Sequence, residues 1–539
     1  MSGRCPAFHL RFGGSTGRAG AGRAGEERAW RERRSRAGPA ARACKPWGPL
    51  RQALRRAVSG AAGYRGRVAR MPDRAPAERR TPPPVSRRAV LIGAAGGVLG
   101  ACAGPGAGSG RPAGSGSGGA ASVSRSAVRL PVVLAVHPSG AIGAAAGRAE
   151  VEELHRGGAA TWQGFRVVRG PGAVAVAMAD RGAVALVTAD ALVPGVDVVP
   201  VDGHDPLRAP EAYPVTAEVG GGAGAGPGPG RVVTSLWTGD VMLGRRVGAA
   251  MAGTGNWELP FTQTADRLSA AALTVGNLEC TLSKEGRATH GGDSFGADPR
   301  ALAGLRRAGY DILTLGNNHL GDYGDTALVR TVAVARGEGF ATTGAGADIA
   351  AARDPARVEA GGLRFVVLAF DAVGESPEAG PASPGVVWLR MPPITGPLAP
   401  ADLAAVEQSV RAARASADVL VVVPHWGREY SHRPVADQYT VAHRLVEAGA
   451  DAVIGMHQHW VQPIELYRGR PVVHGLGNFV FDMTFSEQVQ QAVVVELVHW
   501  GRTLKSIRAL PVRIGTGGVP RFIDPAGAEG RGILATVWG

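Results

Sequence analysis

This sequence predicts an α/β fold, and three observations carry that prediction. From Arg231 onward, short apolar runs alternate with stretches of helical spacing. Runs such as "LRFVVLAFD" and "DVLVVVPHWG" are almost unbroken Val, Leu and Ile, the mark of strands buried on both faces. Asp, Glu, Asn and His collect just after those runs, where α/β sheets gather their ligands.

The elements follow in chain order. "RVVTSLWTGD" is a strand ending in Gly239-Asp240, and "ALTVGNLEC" is a strand ending at Gly276. Asp298-Pro299 caps and opens a helix through Ala308, because Asp accepts from free N–H groups and Pro has none to lose. "DILTLGNNH" reads as a strand and Thr326 to Gly337 as a helix. A helix from about Leu403 to Ala415 separates the two long apolar strands already quoted. Val435 to Ala448 is a helix, "DAVIGMHQH" a strand with its turn, and "RPVVHGLGNFVFD" and "QAVVVELV" complete the sheet.

What precedes Arg231 is different in kind. The chain of 539 residues carries a net charge of +14, which first suggests nucleic acid. Residues 1–70 hold 17 Lys/Arg and three Asp/Glu, so they account for all of it and the remainder is neutral. That segment is Arg/Gly/Ala-rich with little apolar periodicity, and it cannot bury enough surface to order itself. Three readings stay open: a basic arm, a disordered extension, or a stretch that is not translated because synthesis starts at Met71. Residues 71–102 explain the third. The twin arginine Arg87-Arg88 precedes an apolar run from Ala89 to Ala101, too short to span a bilayer, and the stretch ends in Leu99-Gly100-Ala101-Cys102. This resembles a twin-arginine export signal and a bacterial lipobox, which implies cleavage before a lipidated Cys102 and an extracytoplasmic, membrane-anchored protein. The chain beyond that point is nearly neutral, at −3, which removes the electrostatic case for nucleic acid. Of the four cysteines only Cys280 then lies in the folded body, so no intramolecular disulfide is expected.

Residues 103–125, mostly Gly, Ser and Ala, read as a flexible tether, and the Gly/Pro-rich residues 220–230 as a second linker. Between them, 126–219 form a small α/β lobe. Its strand-like runs are "LPVVLAVHP", "AVAVAMA" and "GAVALVT". The stretch "GAVALVTADALVPGVDVVPVDGHDPL" resembles part of one lobe of a phosphate-binding-type solute receptor. A complete receptor of that type closes two lobes on its ligand, so a packing or spacer role is expected here.

Five strand ends supply Asp240, Glu279, Asn317-Asn318-His319, Asp322, His425, His457 and His459. Singly, each has a plain structural explanation: a helix N-cap, a turn, a packed histidine. Together they form the donor set a divalent cation wants, carboxylate, amide oxygen and imidazole on rigid supports. A carboxylate can bridge two cations about 4 Å apart, an arrangement suited to phosphoryl chemistry. No cysteine cluster, G-x-S-x-G or P-loop string competes with this reading.

The motifs "TGDVMLGR", "VGNLECTLS", "TLGNNHLGDYG", "VVPHWGREYS" and "GMHQHWVQPIELYRGRPVVHGLGNFVFD", in that order, resemble the CapA family of poly-γ-glutamate capsule synthesis over about residues 232–512. That family is related to the calcineurin-like metallophosphoesterases. The resemblance implies a four-layer α/β/β/α sandwich over 231–539 around one or two divalent metal ions. Asp240 and His459 would then hold the first metal, and Asn318, His425 and His457 the second. Glu279 would stand in the bridging position, His319 would be the catalytic general acid, and Asp322 and Asn478 would line the site. Two departures bear on this. Met242 stands where the phosphoesterases have a histidine ligand, and thioether is a poor donor to a hard cation. His457-Gln458-His459 stands where the family often has His-Pro-His.

Two functions follow from the resemblance. One is a lipid-anchored, metal-dependent hydrolase acting on a phosphoester or on an anionic poly-γ-glutamate-like polymer, with His319 donating to the leaving group. The other is a non-catalytic accessory that assembles or exports such a polymer with other capsule-synthesis proteins. A solute receptor, resting on the partial lobe alone, is a third.

Overall fold

The computed structural model describes residues 127–219 and 230–539. The basic extension, the export signal with Cys102, the tether 103–125 and nearly all of the linker 220–230 lie outside the described residues. Among the described residues, no helix is long and apolar enough to cross a membrane.

The first elements are β1 (Val128–Val136), α1 (Arg148–His155), β2 (Thr161–Trp162), β3 (Phe165–Val168), α2 (Ala173–Ala179), β4 (Ala183–Thr188), β5 (Asp197–Val198) and β6 (Thr216–Val219). They make one sheet in the order β2-β3-β4-β1-β5, with β6 also paired to β1. "AVAVAMA", expected as a strand, is the helix α2. The run alternates residue types but not polarity, so it has no outward half. Ala favours helix, and the buried Ala173 and Ala177 lie four apart on one helical face.

From Val232 the chain builds two larger sheets; the apolar runs by themselves read as one sheet, and the family resemblance implies two. The first contains β7 (Val232–Val241), β8 (Leu273–Leu278), β9 (Ile312–Thr314) and β10 (Ala341–Thr343). β7 to β10 are mutually parallel. After the short β11 (Ala345–Gly346), the second sheet takes β12 (Ala356–Ala360) and β13 (Leu363–Asp371). Beyond β14 (Gly385–Val386), which pairs with β11, it adds β15 (Val419–His425), β16 (Ala452–Ile454), β17 (Ile464–Tyr467) and β18 (Arg470–Val473). The chain then returns to the first sheet with β19 (Asn478–Val480), β20 (Gln491–Trp500), β21 (Thr503–Ile514) and β22 (Pro520–Phe522). The orders are β10-β9-β8-β7-β20-β21-β22, with β19 on β7, and β12-β13-β15-β16-β18-β17. Pattern alone cannot say which apolar run pairs with which, so the division of strands between the two sheets comes from the structure.

Helices α3 (Arg245–Thr254), α4 (Ala265–Ser269), α5 (Leu302–Arg307) and α6 (Asp325–Gly337) follow strands of the first sheet. After α7 (Ile349–Arg353), α8 (Pro400–Arg414) and α9 (Ala436–Ala448) connect strands of the second, and α10 (Ala528–Trp538) ends the chain. Successive side chains of β13 point to opposite faces, and both faces are buried. Phe365, Val367 and Ala369 join Val233, Trp237, Val275 and Val495 in one core between the sheets. Val366, Leu368 and Phe370 pack instead with Val410 of α8 and Leu445 of α9. The other face of the first sheet packs on α3 to α6 through residues such as Val247, Leu268, Leu305 and Leu328.

Two boundaries differ from expectation. β8 runs past Gly276 to Leu278, because its parallel pairing with β7 continues to Val241↔Leu278. The segment opened by Asp298 begins as a 3-10 turn, Pro299–Ala301, before α5, and Asp298 accepts from Arg300 N–H at 2.9 Å.

The N-terminal sheet is tied to the larger body by partly buried ion pairs and one buried hydrogen bond. Arg508 of β21 meets Asp197 at 2.8 Å and Asp205 at 2.5 Å, and Arg208 meets Glu496 of β20 at 2.5 Å. Trp500 Nε1 donates to the Leu207 carbonyl at 2.9 Å, and Val498 and Trp500 join the lobe's apolar core.

Candidate metal centre

The ends of strands from both larger sheets meet at one cleft. Asp240 lies at the end of β7, in register with Asn277 of β8 on one side and Asn478 of β19 on the other. Glu279 follows β8 by one residue, Asn317-Asn318-His319 follow β9, His425 ends β15, and His457 and His459 lie in the turn after β16. Each strand is fixed by apolar packing on both faces, so the cleft is preassembled.

Asp240, Glu279 and His459 each offer a donor atom, and the three lie within 4.8 Å of one another. All three side chains are buried. Glu279 also reaches the other half of the cleft, 3.6 Å from His425 Nε2. That same Nε2 stands 2.9 Å from Asn318 Oδ1, and the His425 and His457 rings are 4.9 Å apart. Asp240 accepts from Asn277 Nδ2 at 2.9 Å and from the His457 N–H at 3.2 Å. Asn478 Oδ1 meets His459 Nδ1 at 2.8 Å and so orients that ring.

The electrostatics are those of a desolvated polar cluster. Burial pushes Asp240 up to about 7 against its hydrogen bonds to Asn277 and His457. Burial, and then the neighbouring Asp240 charge, holds Glu279 well above the usual carboxylate range. Burial holds His425 and His457 well below the ordinary histidine value and lowers His459 to about 4. Imidazoles kept neutral are in their ligating form.

Four atoms carry the fit to a cation. Both carboxylate oxygens of Glu279 and both ring nitrogens of His457 are buried without a hydrogen-bond partner. Leaving such groups unpaired costs on the order of 1–3 kcal/mol each, more when charged. Carboxylate, amide oxygen and imidazole around those atoms match a hard or borderline divalent ion.

His319 and Asp322 stand beside this set. His319 Nδ1 meets Asp322 Oδ2 at 2.8 Å, and its ring stacks on Phe295 with centroids 3.7 Å apart. Asp322 also accepts from the Phe295 N–H at 2.6 Å and lies 3.1 Å from His290 Nδ1. Asp322 thus places one carboxylate oxygen on His319 Nδ1 and the Phe295 N–H and the other beside His290. Met242 lies in the apolar core, with its sulfur accepting from Gly244 N–H at 3.1 Å, and offers nothing to the cleft.

Some residues of the site had not been singled out in the sequence. Asn277 sits between Asp240 and His425, 3.4 Å from His425 Nδ1, and its only signal was its place in a strand-end Gly-Asn pair. Its partner Asn317, already among the strand-end candidates, donates to Asn277 Oδ1 at 3.1 Å and to the Leu278 carbonyl at 2.9 Å, and so braces β8 against β9. Glu429 lies 3.8 Å from His459 Nε2. The exposed Tyr430 and Phe485 form an aromatic corner, with rings 5.2 Å apart, and Tyr430 stacks 5.8 Å from His459. Sequence pattern carried no signal for that corner, because its parts come from separate loops.

The profile of the family described as "Bacterial capsule synthesis protein PGA_cap" matches residues 234–483, which contain every residue of the cleft named above except Phe485. The chain is 32% identical over 292 residues to a "Probable polyglutamine synthesis accessory protein" of Mycobacterium tuberculosis, covering 51% of this chain and 76% of that one. It is 27% identical over 267 residues to the "Capsule biosynthesis protein CapA" of Bacillus anthracis, covering 49% of this chain and 63% of that one. Among solved structures, a hypothetical protein from Thermus thermophilus aligns with a TM-score of 0.33 and 18% identity, over 52% of this chain and 98% of that one.

Proposed function

Because this chain belongs to the PGA_cap family of bacterial capsule synthesis proteins, we propose that it acts in the synthesis of poly-γ-glutamate or a related anionic surface polymer, as a metal-dependent hydrolase. The names of its relatives in M. tuberculosis and B. anthracis support the pathway. The observation that carries the hydrolase reading is the pair of unpartnered buried groups, Glu279 and His457, among converging strand-end donors. The shared core between two sheets, with helices on their outer faces, supports reading the body as a four-layer α/β/β/α sandwich of the calcineurin-like kind.

In this reading Asp240 and His459 would hold one ion, Asn318, His425 and His457 a second, with Glu279 between them. A divalent ion there would act as a Lewis acid on a phosphoryl or carbonyl oxygen. The chain's own residues do the rest. Asn277 and Asn478 set the orientation of Asp240 and His459. Asp322 keeps a proton on His319 Nδ1 and leaves Nε2 to serve the leaving group. The twin-arginine and lipobox strings support export and anchoring at Cys102.

A second reading has its own support. Met242 removes one imidazole from the first-metal side, and the M. tuberculosis relative is named an accessory protein. Under it the cleft binds polymer without cleaving it.

Metal analysis of the purified protein should find one or two divalent ions per chain, and none after reconstitution would end the metal reading. Turnover of a phosphodiester that His319→Ala abolishes with metal content intact selects the hydrolase. Polymer binding that His319→Ala leaves unchanged, with no turnover, selects the accessory. Cys102→Ala should move the protein from the membrane to the soluble fraction, and an unchanged distribution would refute the anchor.

A further inference from the structure

Three imidazoles of the cleft come from the end of β15 (His425) and the turn after β16 (His457 and His459), and one side chain helps tie these segments together. Gln458 sits between His457 and His459 and is completely buried. Its Nε2 donates to the Trp426 carbonyl at 2.8 Å and to the His474 carbonyl at 3.0 Å. Trp426 is the residue after His425. Its own Nε1 donates to the same His474 carbonyl at 3.0 Å. The main-chain carbonyl of Gln458 accepts from the Tyr430 N–H at 2.9 Å. Gln458 thus adds two bonds between the turn that bears the two histidines and the segment after His425, and one to the residue after β18, beyond the main-chain bonds Trp426 N–H to Met456 O at 3.1 Å and Met456 N–H to Pro424 O at 2.9 Å.

The turn needs such support. His457 has φ +97° and His459 φ +56°, both in the left-handed region. Non-glycine residues there cost about 1–3 kcal/mol each and persist only where their surroundings over-determine them. The carboxamide is also accommodated at a cost. Gln458 Oε1 is buried without a partner, and a Cβ at Gly475 would stand 2.2 Å from it, so a side chain there would displace the carboxamide. A fully buried side chain with one unsatisfied atom is retained at odds with simple packing economy. Its two donated bonds are what it contributes.

We infer that Gln458 is a positioning residue whose carboxamide holds His425, His457 and His459 in one ligating arrangement. A proline at this place has no donor to offer either carbonyl. In this chain the glutamine links the second half of the cleft directly to the first. This inference rests on the metal reading of the site.

Cobalt(II) titration of the purified full chain, followed by visible absorption, tests it. Groups that orient metal ligands typically change affinity by about 10- to 100-fold when removed. Gln458→Met, similar in volume and without a donor, should weaken Co2+ binding by that range and alter the ligand-field spectrum, while the metal-free protein keeps its circular dichroism. If Met does not fold, Gln458→Pro takes its place with the same expectation. Binding within threefold of the parent, with an unchanged spectrum, overturns the positioning role and leaves the metal centre standing. No Co2+ uptake by the parent protein defeats the metal reading itself and this inference with it.

Discussion

Glu279 shows at the scale of one residue how function and stability oppose each other. Both its carboxylate oxygens are buried without partners, and its pKa is raised by burial first and by Asp240 next. Removing the charge relieves that penalty. Glu279→Gln should therefore stabilise the metal-free protein by about 1–3 kcal/mol at most, seen as a higher thermal midpoint, while metal uptake falls. A calorimetric scan with and without metal checks both, and a lower metal-free midpoint would contradict the account. His499 shows a second effect, away from the cleft. It is buried edge-on to Phe365, with ring centroids 6.0 Å apart, and burial lowers it to about 4. The unfolded chain takes up this proton near pH ~6.5, whereas the folded chain waits until about 4. The contribution is full above the unfolded value and is lost as pH falls through that window, at about 1.4 kcal/mol per pH unit. Between pH 7 and 5, His499→Phe should lose about 2 kcal/mol less stability than the parent in urea titrations. Equal losses in the two proteins would exclude this role.

At the scale of an element, the approach of β19 to β7 sets the first half of the cleft. A Cβ on Gly239 would stand 1.9 Å from the Gly477 carbonyl oxygen, the same oxygen that accepts from Asp240 N–H at 3.2 Å. Gly239→Ala should push β19 off β7, separating Asn478 from Asp240. The expected cost is about 1–3 kcal/mol together with weakened metal uptake. Thermal melting and metal titration of the variant measure the two effects, and normal values for both would show that the strand pair can spread freely. The elements that were legible in the sequence share one property. β13 and β15 are long, almost unbroken apolar runs buried on both faces, and α8 and α9 are long runs whose apolar period matches their buried face. α2 was misread because Ala and Val differ too little in polarity for period two to mean anything.

For the whole molecule, the question is how the N-terminal lobe is held. Arg508, with 9% of its side chain exposed, faces Asp197, Asp205 and Glu496. The three acids raise its pKa against the effect of burial. Arg508→Met would leave acidic groups facing one another in a partly buried seam. Removing one partner of a buried pair costs about 3–5 kcal/mol, and partial exposure of Asp197 and Asp205 puts this case at the lower end. Limited proteolysis should then cut between lobe and body faster than in the parent, and an unchanged rate would mean that the apolar contacts of Val498 and Trp500 suffice.

From the sequence alone, the α/β class, the order of most long strands and helices, and the chemical types of the strand-end residues were determined. These depend on local periodicity and on side-chain chemistry, which each segment carries by itself. The tertiary structure alone decided which apolar run joined which sheet and that Glu279 reaches both halves of the cleft. It also decided that Asp322 serves His319, and that Asn277, Gln458 and the Tyr430–Phe485 corner belong to the site. Those facts depend on distances between residues far apart in the chain, and no local pattern encodes a distance until the strands have paired.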